Sequence, residues 1–390
     1  MLKRIWPFII GSIALGLDAY IIAGLLPTMA KDLETSEALV GLGVTAFTGA
    51  YAISGPLWAG PAGRQSARGL TIALTVFAIG NLITAFAPNI FIFLLARVIA
   101  GAAAGIYSPL STSVAASMVV PERRGQALSM VLAGLAIGTV FGVPIGLFLA
   151  QVTSWRFSMG LITLIGVFAL IGIRFHRGEK ILNVDAPNLT ARLQSISATP
   201  NLLIISVTFL TGIASLGLYT YISPVLSAST LSNHQTLAIW IWGLGGAIGV
   251  LSIGKIVDRA QKSTTITTYI LVALAISLTL LGLISNATIT LLMLLTWGML
   301  GWSSLAPQQH TLLATNPDDG TTAVAANSSA NYLGAAVGSA LGALAISAGF
   351  TGLSLPLLAV VPIIVAVILH IIRIRLFSVS TSNTLSLIHI

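Results

Sequence analysis

Residues 90–110 read IFIFLLARVIAGAAAGIYSPL, an apolar run with a single charged side chain, Arg97. A helix needs about 20 residues to cross the hydrocarbon core of a bilayer, which is about 30 Å thick. The run therefore has the length and composition of one membrane-spanning helix. A guanidinium within such a helix is unfavourable unless it has a partner or a function. The stretch predicts a membrane protein and makes Arg97 the residue whose presence needs a reason.

The rest of the chain repeats this pattern. Of its 390 residues 56% are hydrophobic and only 7% are charged, a balance typical of polytopic membrane proteins. Transmembrane β-strands are excluded because the apolar runs are about twice as long as such a strand and do not alternate. The sequence therefore predicts an all-α membrane protein with twelve transmembrane helices. The twelve runs lie near residues 6–27, 37–58, 69–88, 90–112, 126–150, 157–174, 201–224, 236–256, 265–285, 288–311, 322–347 and 352–372.

The chain has a net charge of +8, and its basic residues are distributed unevenly between the two sides of the predicted membrane topology. Of the 18 Lys and Arg residues, Arg97 lies within a span, Lys31 and Arg156 fall on one side of the membrane, and the other fifteen fall on the opposite side. Positive residues are enriched in cytoplasmic loops. We therefore expect a multi-pass membrane protein with both termini in the cytoplasm. The basic composition is a topology signal and does not indicate nucleic-acid binding.

One long polar stretch divides the chain. Residues 175–200 separate six apolar runs from six, and we interpret them as a cytoplasmic linker between an N-terminal bundle, 1–174, and a C-terminal bundle, 201–375. The tail, 376–390, matches no pattern and is expected to be disordered.

The two halves repeat each other weakly. Three features recur 195 to 197 residues apart, which predicts duplicated six-helix bundles of the kind found in transporters that rock two bundles about a central site. The pairs are Pro27 with Pro224, Gly63-Arg64 with Asp258-Arg259, and Gly138, Gly142 and Gly146 with Gly334, Gly338 and Gly342.

Several stretches resemble a known family: GLLPTMAKDL, YAISGPLWAG, LLARVIAGAAAGI, VVPERRGQAL, GVPIG and SWRF, in this order. They are similar to motifs of the drug:proton antiporter-1 group, a 12-span group of the major facilitator superfamily. WGMLGWSSLAPQQHTLL and ANSSANYLGAAVGSALGA, in the second half, are similar to the bacterial branch that exports purines and nucleosides, sugars and drugs. The resemblance covers roughly residues 5–375. It implies the major facilitator fold, with spans one, four, seven and ten lining a central cavity, in the bacterial plasma or inner membrane.

The loop between spans two and three departs from the superfamily pattern. Arg64 and Arg68 remain, but Gly63 stands at the acidic position, whereas the second half keeps Asp258 and Arg259. The resemblance implies that charged residues of this loop hold the cytoplasmic ends of the helices together, hereafter the charge latch. In this chain the charge latch would be built on Asp258. The alternative is that these residues only set the topology.

A glycine stripe marks span five. Gly138, Gly142 and Gly146, with Pro144 among them, resemble the antiporter motif that lies at the seam between the halves. Four-residue spacing places the glycines on one side of a helix, where a neighbouring backbone can approach closely. Helix packing is therefore the first role to expect of them.

Polar and aromatic residues on the expected cavity-lining spans, together with two amides of span eleven, are candidate substrate ligands. Aromatic rings could stack on a planar ligand, and the amides could hydrogen-bond to it. The alternatives are interfacial anchoring for the rings and helix-to-helix hydrogen bonds for the amides. The candidates are Tyr20, Tyr107, Tyr219, Tyr221, Trp297, Trp302, Asn327 and Asn331.

Asp18 and Arg97 are predicted to pair. At 1.5 Å per residue, Asp18 lies about 13 Å below the outer end of span one and Arg97 about 12 Å below that of span four. The Arg97 position resembles the fourth-span arginine of the family, which is implicated in proton coupling, and Asp18 resembles a less regular acidic residue of span one. We expect Arg97 to keep Asp18 ionised in the empty cavity and substrate to favour protonation. An ion pair that only holds the spans together is the alternative.

The sequence offers no catalytic residue set, metal-ligand set, cofactor motif or Walker-type ATP loop, so an enzyme is not predicted. The hypothesis is a proton-coupled antiporter, expected to be monomeric, that exports a small neutral or weakly cationic compound such as a purine, a nucleoside or a hydrophobic drug. One alternative is a facilitator or symporter for a sugar or nucleoside. A second alternative is a non-transporting sensor on a transporter fold.

Overall fold

The computed structural model describes residues 2–120, 123–175, 199–260, 263–316, 320–350 and 352–377. These residues form twelve helices that are long and apolar enough to cross a membrane, and none of them forms a strand. The predicted all-α, twelve-span architecture is therefore confirmed. Residues 176–198 of the expected linker and 378–390 of the expected tail lie outside the described residues.

The first six spans run from the face that holds the N terminus, the terminal face, to the opposite face and back. Span five contains a π-helical segment between two α-helical pieces. The bounds are Leu2–Asp32 for span one, Glu37–Gly63 for two, Ser66–Ala85 for three, Ile90–Ser117 for four, Arg124–Ile137 with Gly138–Gly142 and Val143–Val152 for five, and Trp155–Phe175 for six.

The second six spans repeat this arrangement with two interruptions. Span seven becomes π-helical and then breaks before a short helix, and span ten is interrupted at Ser304 between two helices. The bounds are Thr199–Gly212 with Ile213–Gly217 and Ile222–Ser227 for span seven, Gln235–Ala260 for eight, Ser263–Leu283 for nine, Ala287–Ser303 with Leu305–Thr315 for ten, Gly320–Ser347 for eleven and Ser354–Phe377 for twelve.

Polar residues start three helices at the opposite face. The Ser36 hydroxyl accepts a hydrogen bond from the amide of Leu39, and the Asn89 side chain accepts one from the amide of Ile92. Asn286 caps span ten in the same way. Each side chain satisfies a first-turn N–H group that has no acceptor within its own helix, so these residues fix where the helices begin.

Span one continues through Pro27 to Asp32, whereas the sequence predicted that it ends at the proline. Proline lacks an N–H group, so the carbonyl of Ala23 loses its helical donor. The hydroxyl of Ser223, from the end of span seven, donates a 3.0 Å hydrogen bond to that carbonyl. A neighbouring helix thus replaces the missing bond, as is common for proline in membrane helices.

The helices form two bundles that meet along a seam. In the N-terminal bundle, span one packs on spans five and six, and span four packs on spans two and three. In the C-terminal bundle, span seven packs on eleven, eight on ten, and nine on twelve. Spans two and eleven form the main contact between the bundles, and spans five and eight form a second one.

The glycine stripe packs inside the N-terminal bundle, whereas the resemblance placed it at the seam. A side chain at Gly138 would collide with the backbone of Ile13 in span one, and one at Gly334 would collide with the backbone of Phe209 in span seven. The repeated glycines therefore perform the same packing task in each bundle. Span five meets span eight through another side, where Val140 approaches Gly243.

Span twelve extends to Phe377, five residues beyond the predicted run that ended at 372. The longer helix buries His370 and Arg373 against its neighbours. Asp18 and Arg97 are therefore not the only ionisable residues enclosed within the spans.

Candidate functional site

Asp18 and Arg97 form an ion pair between spans one and four. Arg97 Nη1 donates a 2.7 Å hydrogen bond to Asp18 Oδ1, and the two side chains are 1% and 0% exposed. The structure therefore brings together the two lone charges that the sequence placed at similar depth. Removing both charges from water is costly, and their mutual attraction offsets part of that cost.

Two neighbours complete the surroundings of the pair. Asn81, on span three, donates from Nδ2 to Asp18 Oδ2 at 3.0 Å, and its Oδ1 lies 3.4 Å from Arg97 Nη1. The guanidinium stacks over Phe47 of span two, 4.4 Å from the ring centre. Asn81 was not a sequence candidate, although a lone amide in an apolar span needs a hydrogen-bond partner and is a signal of such a site.

The sequence predicts that the pair lies along the central cavity, but the structure encloses it within the N-terminal bundle, away from the space between the bundles. Asp18 faces spans three and four, whereas Tyr20 contacts residues of the C-terminal bundle. Side chains two positions apart on an α-helix point in directions about 200° apart. Substrate at the seam would therefore contact the opposite side of span one and not the carboxylate itself.

Five aromatic residues form a cluster at the seam, hereafter the aromatic cluster. The rings of Tyr219 and Trp242 are stacked 3.9 Å apart, Tyr20 lies 5.5 Å from Tyr219 and 5.3 Å from Trp302, and Trp297 lies 5.8 Å from Trp242. These residues come from spans one, seven, eight and ten. Trp242 was not a sequence candidate, because span eight was not expected to line the cavity.

Two donors of the aromatic cluster are buried without an acceptor. Trp297 Nε1 donates to the Ser215 hydroxyl at 3.0 Å. The indole nitrogens of Trp242 and Trp302 have no hydrogen-bond partner among the described residues. A buried donor without an acceptor is unfavourable, so these two indoles are suited to a ligand that carries hydrogen-bond acceptors.

A small cavity of about 20 Å³ lies beside the cluster, lined by Tyr20, Thr48, Tyr219, Thr220 and Tyr332 among others. Its lining comes from spans one, two, seven and eleven. Tyr51 and Tyr332, with ring centres 3.9 Å apart, close the seam between spans two and eleven. This cavity has space for about one water molecule and is too small for a substrate.

The structure does not bring the other candidate ligands into the aromatic cluster. Tyr107 is buried in the N-terminal bundle, with its hydroxyl 3.4 Å from the carbonyl of Phe8. Tyr221 donates to the carbonyl of Ser339 at 2.7 Å, at the contact of spans seven and eleven. Asn331 and Asn327 are buried in span eleven, and both side-chain polar atoms of Asn327 lack a partner in the described part of the chain.

The basic residues of the loop motif lie at the terminal face. Arg64, Arg68 and Arg259 are exposed. The side chain of Asp258 is not among the described ones, so the charge latch built on it stays a prediction. Within the described residues, no group of His, Asp and Glu side chains is suited to hold a metal ion.

Comparisons with known proteins agree with this architecture. The sequence profile of the Major Facilitator Superfamily matches residues 8–339. The inner membrane transport protein YdhP of Escherichia coli (strain K12) is 26% identical over 343 residues, which cover 87% of this chain and 88% of that protein. A probable sugar efflux transporter of Helicobacter pylori is 25% identical over 370 residues, which cover 92% and 93%.

A solved structure shows the same fold. The crystal structure of the nucleoside transporter NupG superposes with a TM-score of 0.76 over 95% of this chain and 99% of that chain, at 12% sequence identity. Identity this low supports a statement about the fold alone. The profile match, the twelve spans and the two packed bundles together show that the chain is a membrane transporter of the Major Facilitator Superfamily.

Proposed function

We propose that this transporter exports a small neutral or weakly cationic organic compound in exchange for protons, and that Asp18 is the residue that carries the proton. The observation that supports the proposal is the complete burial of the ion pair of Asp18 and Arg97. A buried ion pair is weak evidence for stability, because well-packed apolar residues often serve as well. Ionisable groups kept inside a membrane protein are therefore functional candidates by default.

The pair links the conformation of span one to its protonation state. While Asp18 is ionised, Arg97 and Asn81 hold span one against spans four and three. A proton on the carboxyl removes the charge that attracts the guanidinium and weakens this contact. Span one is then freer to shift relative to its neighbours, and Tyr20 on its other side shifts with it.

Proton and substrate would therefore compete through the position of span one. Substrate at the aromatic cluster contacts Tyr20 on one side of span one. Protonation of Asp18 changes the contacts of the same helix with Arg97 and Asn81 on its other side. Each ligand favours one arrangement of the helix, which is the condition for coupling between two sites. This route does not require the substrate to contact the carboxylate of Asp18.

The substrate class follows from the aromatic cluster. Its five side chains are uncharged, and the indole N–H groups of Trp242 and Trp302 have no hydrogen-bond acceptor among the described residues. A planar compound with ring nitrogens or carbonyl oxygens fits such a site, whereas a polyanion finds no counter-charge among these residues. The probable sugar efflux transporter of H. pylori supports the export direction.

Transport in inverted membrane vesicles tests the proposal. We expect a proton gradient to drive accumulation of a purine or a hydrophobic drug in the unaltered protein. Asp18→Asn should still bind substrate but lose the response to the gradient, because asparagine cannot take up the proton. Asp32→Asn is the matched control, since Asp32 is also ion-paired on span one but is half exposed at the opposite face.

The outcomes separate the alternatives. Normal gradient-driven export by Asp18→Asn would show that Asp18 is not the coupling residue. Gradient-driven transport in the reverse direction would identify a symporter, and equilibration without a gradient effect would identify a facilitator. Stronger competition by dicarboxylates or sugar phosphates than by purines would contradict the proposed substrate class.

A further inference from the structure

Arg373 on span twelve is a buried cation that forms no salt bridge within the described residues. It is 7% exposed, and its Nε is buried without a hydrogen-bond partner. Its guanidinium makes no ion pair with any carboxylate in the described part of the chain, whereas Arg97 pairs with Asp18 and Arg156 pairs with Asp32. A buried charge left uncompensated is strongly unfavourable, so Arg373 is suited to an anion that the protein itself does not supply.

The neighbouring groups favour an anion as well. One turn before Arg373, His370 Nε2 donates to the carbonyl of Thr264 at 2.9 Å, so this side of span twelve packs on the first turns of span nine. Residues three apart lie on the same side of a helix, so Arg373 faces the start of span nine. The first turn of this 21-residue helix presents N–H groups without acceptors in the helix and the positive end of its dipole.

A third basic group lies nearby on span ten. His310 Nδ1 is 2.8 Å from the hydroxyl of Ser263, the first residue of span nine. The start of span nine is thus approached by one histidine from span ten and by a histidine and an arginine from span twelve. Among the described residues no acidic side chain forms a salt bridge with any of the three.

The depth and surroundings of this site indicate a lipid. Arg373 lies four residues before the end of span twelve, which is about 6 Å along the helix axis and therefore near the level of the head groups. Ile372 and Leu376 on the same helix are 40% and 61% exposed, and Tyr269 on span nine is 72% exposed. Apolar surface beside a buried cation matches a molecule with a phosphate and hydrocarbon chains.

We propose that the cleft between the start of span nine and the end of span twelve binds the phosphate of an anionic phospholipid from the leaflet at the terminal face. The Arg373 guanidinium donates hydrogen bonds to the phosphate oxygens, the first-turn N–H groups of span nine donate from the other side, and the acyl chains lie along Ile372 and Leu376. Arginine and helix N-termini are both favourable phosphate ligands. The site is independent of the proposed transport mechanism.

Native mass spectrometry of the full-length protein tests this site. The protein is released from vesicles of equal parts phosphatidylglycerol and phosphatidylcholine, and the lipids that remain bound are counted. We expect selective retention of phosphatidylglycerol, reduced about fivefold in Arg373→Gln, since one basic residue near a bilayer surface contributes on this order. Arg375→Gln is the matched control, because Arg375 lies two residues away and is exposed, and it should retain the lipid fully.

Each alternative has its own outcome. Equal retention of the two lipids, or an equal loss in Arg375→Gln, overturns the proposal because it shows only general attraction to a basic surface. Displacement of bound lipid by excess inorganic phosphate overturns the lipid assignment in favour of a free anion. If Arg373→Gln does not fold, Arg373→Lys takes its place in the experiment. Lysine keeps the positive charge but lacks the forked donor geometry of the guanidinium. Weakened retention in that variant supports the site, and unchanged retention overturns the role of the guanidinium.

Discussion

The hydroxyl of Ser223 in span seven donates a 3.0 Å hydrogen bond to the carbonyl of Ala23 in span one. This contact joins the two bundles across the seam, in the half of the seam nearer the opposite face. The carbonyl is available because Pro27 has no N–H group to offer it. Ser339 makes a similar contact, from span eleven to the carbonyl of Gly41 in span two, at 3.0 Å. Both are single hydrogen bonds across a seam that would have to separate if the two bundles alternate in opening to the two faces, as the proposed transport requires.

Ser223→Ala is expected to favour opening at the opposite face. One hydrogen bond is worth about 1 kcal/mol, which corresponds to a change of roughly fivefold in the ratio of the two states. Spin labels at Lys31 and Asn233, exposed residues of the two bundles, report the separation at that face. Ser229→Ala is the control, because its hydroxyl bonds to Leu226 within the same segment. An unchanged distance distribution in Ser223→Ala would contradict a role in closure.

Arg156 is expected to stabilise the N-terminal bundle by joining three spans. Its Nη1 donates to the carbonyls of Ala85 and Ala87 at the end of span three, at 3.0 and 2.9 Å, and its Nη2 donates to Asp32 of span one at 2.7 Å. Arg156→Ala removes all three bonds and should reduce stability by about 1–2 kcal/mol. Asp32→Asn should cost less than about 1 kcal/mol, because the pair is partly exposed.

Thermal unfolding in detergent measures both Arg156→Ala and Asp32→Asn. Added salt should narrow the difference between Asp32→Asn and the unaltered protein but leave most of the Arg156→Ala effect, since ion pairs are screened and hydrogen bonds to carbonyls are not. Equal losses in the two variants would show that the carbonyl bonds contribute nothing.

Cysteine labelling is expected to place the two faces on opposite sides of the membrane. The protein has no cysteine, so a single introduced one gives an unambiguous signal. Gln65 is exposed at the terminal face and Thr153 is exposed at the opposite face. Because the sequence predicts fifteen basic residues on the first side, Gln65→Cys should react only from the cytoplasm and Thr153→Cys only from outside. Labelling of both from one side would contradict the topology.

The number of spans and the pairing of Asp18 with Arg97 could be predicted from the sequence, because both depend on position along the chain. A bilayer fixes the length of an apolar run, and a lone charge within such a run needs a partner at similar depth. The rotation of each helix about its own axis could not be predicted. A helix that is apolar on all sides gives little signal of which side faces a neighbour.

This missing rotation explains the differences at the site. The sequence could not show that Asp18 and Tyr20 face different neighbours, or that Tyr107 points into its own bundle. It also could not single out Trp242 among the tryptophans, since its partners come from three other spans. These contacts depend on tertiary packing and not on local pattern.

Asn81 is expected to set the pH at which the transporter responds. Its Nδ2 donates to Asp18 Oδ2, and a donor of this kind stabilises the ionised carboxylate relative to the protonated acid. Asn81→Ala removes the donor, so the pH dependence of gradient-driven transport should move toward higher pH. A hydrogen bond to a charged group is worth about 1.5–3 kcal/mol, so the upward shift of the midpoint of gradient-driven transport should be measurable.

The control for Asn81→Ala lies one turn further along span three. Thr84 is equally buried, but its hydroxyl donates to the carbonyl of Gly80 in the same helix and does not touch the pair. Thr84→Ala should therefore leave the pH midpoint unchanged even if it lowers the amount of folded protein. Transport measured from pH 5 to 9 in both variants distinguishes the cases. A midpoint that stays in place or falls in Asn81→Ala would mean that the amide only packs the bundle and that the proton binds elsewhere.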